Sequence, residues 1–153
     1  NATMGTTIGS FIEDSNGNFY FSDSNNKRIR FINVQGFVNN FAGIGNINKL
    51  DGYDAFFGQF NNPNSLFIDK RKNNNNNQNR NEIFICDSGN HKIKKIITNS
   101  KPQILFDFAG TGIQGFFGEN IPAKQAQLND PFSITQDNFG NFYFSDFENF
   151  RIR

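Results

Sequence analysis

The sequence predicts an all-β protein, a β-propeller of four-stranded antiparallel blades, and three observations predict it. The heptapeptide Gly17-Asn18-Phe19-Tyr20-Phe21-Ser22-Asp23 recurs unchanged over 140–146, and a diverged copy, Glu82-Ile83-Phe84-Ile85-Cys86-Asp87, lies between them. A basic-Ile-basic triplet begins five residues after each Asp: Arg28-Ile29-Arg30, Lys92-Ile93-Lys94 and Arg151-Ile152-Arg153. Composition is the third: 21 Phe and 27 Asn against 4 Pro, with no sustained 3.6-residue apolar period, favour short strands and turns over long helices. Asp23, Asp87 and Asp146 are separated by 64 and 59 residues, the spacing of a structural repeat.

The strands follow in order. The first is a short apolar segment, 7–14 in the first unit, with Ile8, Phe11 and Ile12. In the later units it follows a proline, as in Leu66-Phe67-Ile68 after Pro63 and Ser133-Ile134 after Pro131. A tight turn rich in Asn, Asp and Gly (14–18 and 137–141) leads to the second strand, Phe-Tyr-Phe-Ser. The third is the triplet and its extension, whose alternation puts Ile29 and Phe31 on one face and Arg28 and Arg30 on the other. The fourth ends at Phe-Ala-Gly, 41–43 and 108–110. Four antiparallel strands that return to a proline and start again make a propeller blade.

These units place blade one at 6–43, blade two at 63–110 and an incomplete blade three at 131–153, with an Asn-rich insertion at 71–80. About two and three-quarter blades are present. Because a blade alone leaves its faces and edges uncovered, the expectation is either a longer chain or a segment completed by other copies.

A formal charge of +1 gives no global attraction to nucleic acid or an anionic membrane. Mean hydropathy is −0.59, and no run approaches the roughly 18 apolar residues of a membrane span. Cys86 has no second cysteine to pair with and reads as a buried structural thiol. His91, the one histidine, lacks further His or Cys ligands for a zinc site and reads as structural. Ser22, Ser88 and Ser145 have no triad partners. Residues 110–115 carry the spacing of a dinucleotide fingerprint, but no helix is expected after them, so their glycines read as positive-φ positions in a long connection.

Several fixed spacings carry a family resemblance over nearly the whole chain. Residues 108–118 (Phe-Ala-Gly-Thr-Gly-Ile-Gln-Gly-Phe-Phe-Gly), Ala126-Gln127-Leu128-Asn129-Asp130-Pro131 and 140–146 look like the long form of the NHL repeat. Asp87-Ser88-Gly89-Asn90-His91-Lys92-Ile93-Lys94-Lys95 is similar to that family's Asp-Ser-Gly-Asn-His-Arg-Ile-Arg-Lys signature. The first unit departs from the pattern: its arm from Gly43 lacks the Pro-Ala and Ala-Gln-Leu elements. The resemblance implies part of a six-bladed ring. The expected role is a non-catalytic protein-binding scaffold, with no cofactor or metal and with other proteins or further copies of itself as partners. Two alternatives are a structural subunit of an assembly whose neighbouring copies complete the propeller, and a calcium-dependent, lactonase-like or amidating-lyase-like enzyme whose site lies outside this segment.

The repeat signature comprises Asp23, Arg28, Asp87, Asn90, Lys92, Asp146 and Arg151. Its carboxylates could offer oxygens to calcium. Their recurrence in every unit favours a role in accepting backbone N–H groups at the turn between the second and third strands. Within the insertion and beside it, Lys70, Arg71, Lys72 and Arg80 are candidates to dock an acidic partner on a surface loop. Asn1-Ala2-Thr3 is a glycosylation sequon and points weakly to an extracellular or luminal setting.

Overall fold

The computed structural model describes residues 7–44, 52–71 and 81–153. The Asn1 sequon, Lys72, Arg80 and most of the Asn-rich insertion lie outside the described residues.

The described chain is all-β, in three antiparallel sheets. The first contains β1 (Ile8–Glu13), β2 (Phe19–Asp23), β3 (Arg28–Ile32) and β4 (Val38–Ala42) in that spatial order. The second adds β6 (Pro63–Asp69), β7 (Glu82–Asp87), β8 (Lys92–Ile97) and β9 (Ile104–Ala109) to a two-residue strand, β5 (Tyr53–Asp54). β5 comes from the connection after the first sheet and pairs outside β9, giving the second sheet a fifth strand where four were expected. The third contains β10 (Pro131–Gln136), β11 (Phe142–Asp146) and β12 (Arg151–Ile152).

All three sheets share a register fault. Ile8 pairs with Asp23, Pro63 with Asp87 and Pro131 with Asp146, and each pairing then shifts before the next partner in the first strand. A bulge there turns the strand and frees local backbone for contacts outside the ladder. β6 lies beside both β1 and β10, so the first strands of successive sheets adjoin.

The core occupies the two joints between sheets. At the first joint, Tyr20, Ile29, Phe41 and Ala42 meet Leu66, Ile83, Ile85 and Leu105. At the second, Phe84, Ile93 and Ala109 meet Leu128 and Ile134, with Phe108, Phe142 and Phe144 packed on them. Each fully buried Phe or Ile contributes about 1.5–3 kcal/mol relative to exposure. Alternation along β3 follows the expected pattern, but both faces of the strand are protected: Arg30 is 4% exposed and its counterpart Lys94 8%.

Candidate functional site

Each signature carboxylate is fully enclosed by its own sheet. Asp87 Oδ1 accepts the backbone N–H of Asn61 at 2.7 Å, and Oδ2 accepts Asn90 Nδ2 at 2.8 Å. Asp146 repeats the arrangement with Asn129 N at 2.7 Å and Asn149 Nδ2 at 2.9 Å. Asp23 accepts Asn26 Nδ2 at 3.0 Å. The backbone donor thus belongs to the segment entering the first strand of the sheet, whereas the turn between the second and third strands contributes an Asn side chain. One carboxylate thereby ties the innermost strand to the far hairpin.

The third residue of each basic triplet lies near this carboxylate. Arg30 Nε is 2.7 Å from Asp23 Oδ2, and Arg153 Nη1 is 3.2 Å from Asp146 Oδ2. In the second sheet Lys94 Nζ turns to Asp107 Oδ1 at 2.9 Å, a position held in the first sheet by Asn40. Burial raises Asp87 to about 6, a rise that Lys94, Asn61 and Asn90 only partly oppose. Burial also works against the Lys94 charge, but Asp87 and Asp107 outweigh it and lift the ammonium above its ordinary value. Asp107 is pushed up by burial, yet bonds from Lys92 and Lys94 prevail and hold it below the usual carboxylate range.

A cleft of about 740 Å³ opens where the hairpins Asp23–Arg28 and Asp87–Lys92 come side by side. Arg28, Asn90 and Lys92 of the signature line it, together with Lys27, Lys94 and Asp107. Lys27 and His91, which open the third strands of the first and second sheets, are both left-handed, with φ of 55° and 52°. The following triplet is thereby turned back along the sheet with its first side chain at the cleft. Lys92 Nζ reaches Asp107 Oδ2 at 2.5 Å, and His91 Nδ1 accepts the Asp130 N–H at 3.2 Å.

The chain matches no family model and no curated protein. Solved structures resemble it over nearly its full length. A structural-genomics protein of unknown function from Bacteroides thetaiotaomicron superposes with a TM-score of 0.76 at 18% identity, covering 99% of this chain and 36% of that one. An auxiliary nutrient binding protein from Bacteroides ovatus gives 0.70 at 21%, covering 98% and 38%. Virginiamycin B lyase from Staphylococcus aureus gives 0.54 at 14%, covering 97% and 40%. The fold is a propeller fold. The chain spans well under half the length of these neighbours, whose descriptions mix binding and lyase activity.

The remaining predicted positions separate. In the third blade Arg151 places its guanidinium 3.9 Å from the centre of the Phe116 ring. Arg71 forks onto the buried Asp69, with Nε and Nη2 at 2.9 and 2.7 Å, and lies against Gly140 of the next blade. It is engaged within the chain, at the opposite end of the strands from the cleft. Asp69 is the second member of another repeated device. Asp14 Oδ1 accepts the N–H groups of Asn16 and Asn18, and Oδ2 accepts Tyr20 Oη at 3.2 Å; Asp137 does the same for Phe139, Asn141 and Tyr143. Burial, then Asp14, push the Tyr20 phenol up and keep it a donor. Sequence reasoning identified the turn but not this reach to the tyrosine, nor Arg30, Lys94 and Asp107. The triplet's third basic residue, falling on the same face as the Asp, was the available signal. Cys86 is wholly buried, and burial raises its thiol well above the ordinary value, in keeping with a structural thiol.

Proposed function

We propose that this chain is an NHL-type propeller segment, with blades over 6–43, 63–110 and 131–153, that works as a non-catalytic protein-binding scaffold. The observation that carries the reading is the division of labour within the signature. Its carboxylates are sealed inside the blades and hold backbone and side-chain amides, while Arg28, Asn90 and Lys92 are presented at a polar cleft on one propeller face. The likeness in fold to a protein described as an auxiliary nutrient binding protein supports a binding role.

The test is a photo-crosslinking side chain placed at Thr111, an exposed residue of the cleft, or at Phe139, in a turn at the opposite end of the strands. Discrete protein adducts through position 111 and none through 139 are expected. Adducts at neither position, or hydrolysis of a lactone by the purified protein, would remove the scaffold reading.

A further inference from the structure

We propose that the cleft between the first two blades binds an acidic peptide segment through Arg28. The proposal rests on the scaffold reading and names the partner's chemistry. Among the described residues, four cationic side chains, Lys27, Arg28, Lys92 and Lys94, line the cleft, and Asp107 is the one carboxylate. Lys92 and Lys94 both clamp Asp107, and Lys94 also feels the buried Asp87 beneath it. Their charge is largely answered inside the chain. Arg28 differs from its two counterparts in the repeat. Lys92 has Asp107 and Arg151 has the Phe116 ring, whereas the half-buried Arg28 has no ion pair, hydrogen bond or ring contact among the described residues. A half-buried arginine with no acid partner among the described residues is matched by a carboxylate, which a guanidinium takes through two parallel N–H bonds.

The surroundings favour a peptide over a polynucleotide. Asn26, Asn61 and Asn90 also line the cleft, each with its Nδ2 donating inward, to Asp23, the Gly89 carbonyl and Asp87, so the polar wall is held in place from within the chain. Asp107 sits among the cations and repels a continuous chain of phosphates. Of the aromatic residues lining the cleft, Phe60 is buried and Tyr53 is half-buried in the joint, so the described residues present no open stacking platform for bases. Attraction between exposed charges also makes such binding sensitive to ionic strength.

The experiment is fluorescence anisotropy with a labelled peptide of alternating Glu and Gly, compared with its Gln counterpart and with polyuridylate RNA, at low and high salt. Preferential binding of the Glu peptide, weakened by salt, is expected. Arg28→Ala should weaken it about tenfold and Lys27→Ala about threefold, and Arg28→Lys should fall between wild type and Arg28→Ala because the fork is lost but the charge kept. Lys101→Ala, at an exposed position in the turn between β8 and β9 at the other end of the blade, should leave binding unchanged. Unfolding midpoints of each variant separate lost binding from lost structure. Equal binding of the Gln peptide, preference for RNA, or an Arg28→Ala variant that is folded and binds normally would overturn the assignment. No binding of the Glu peptide while crosslinks through position 111 persist would overturn this assignment and leave the scaffold reading standing. Loss of both would end both.

Discussion

The two joints of the molecule bring the same backbone arrangement together by different chemistry. At the first, Ser22 and Ser24 of blade one donate to the carbonyl oxygens of Asn64 and Pro63 in blade two at 2.6 and 2.5 Å. At the second, Cys86 stands where Ser22 would, and one hydroxyl remains, Ser88 to the carbonyl of Pro131 at 2.6 Å. Aromatic packing is heavier there: the rings of Phe84, Phe108 and Phe142 lie 4.4–4.9 Å apart in mutual contact. The connection between the blades also folds over this joint, through the Gln114–Leu128 bridge, Asn149 Nδ2 to the Gly115 carbonyl at 2.8 Å, and Arg153 to the carbonyls of Gln127 and Gly118. Both joints thus share an apolar core and a serine-to-carbonyl bond, and they differ in degree: a second hydroxyl bond at the first, closer packing of rings at the second.

The largest expected effect lies at the second joint. Phe84→Ala removes a ring that is 2% exposed and shared by both blades, and should cost about 3–5 kcal/mol in denaturant unfolding. A smaller loss would mean that the aromatic joint collapses around the gap and is less rigid than its packing implies. Asp87→Ala comes next, at about 1–3 kcal/mol, since it orphans the Asn61 N–H and the Asn90 amide. The loss should be the same with calcium as without it. Calcium-dependent stability abolished by the substitution would instead make this carboxylate a ligand.

The same residue sets a pH dependence. Its folded value of about 6 exceeds the ordinary 3.8, so the folded state holds its proton to higher pH than the unfolded chain. Its contribution is therefore complete below 3.8 and is lost as pH rises through about 6. Asp107, held low, contributes with the opposite sign and loses stability as pH falls. Urea midpoints across this interval should decline with rising pH less steeply in Asp87→Asn than in wild type.

The smallest effects compare the joints directly. Ser24→Ala should cost about 1 kcal/mol at the first joint by leaving the Pro63 carbonyl unpaired. Cys86→Ser places at the second joint the hydroxyl that the first one has, and should change stability by no more than about 1 kcal/mol. A loss as large as that of Phe84→Ala would show that the apolar joint does not accept the hydroxyl solution.

How far the sequence revealed this follows from what repetition encodes. The strand order, the hairpin turns around Asp14 and Asp137 and the approximate positions of β1 to β4 and β6 to β12 were legible because they recur. β5 was not, since Tyr53–Asp54 is too short for alternation to register and belongs to a connection that differs between units. Alternation separates the Ile29 and Arg30 faces of the strand but does not say what covers the second one. In a propeller the opposite face meets a neighbour as well, so Arg30 and Lys94 go inside and need carboxylates. The cleft could not be read from the repeat, because Arg28, Lys92 and Arg151 occupy one sequence position and have three different surroundings.

The left-handed residue ahead of each triplet has a consequence for how such a chain can diverge. Lys27 exposes its carbonyl to Gly43, where a methyl group would stand 2.7 Å away, and His91 does the same to Gly110. The fourth strand of each complete blade therefore ends against the turn before its own third strand, with the main chain of that turn the nearest obstacle to a side chain at the glycine. A contact that rests mainly on main chain constrains positions 43 and 110 to glycine and leaves the strand side chains, Ser22 and Cys86 among them, to vary independently of it.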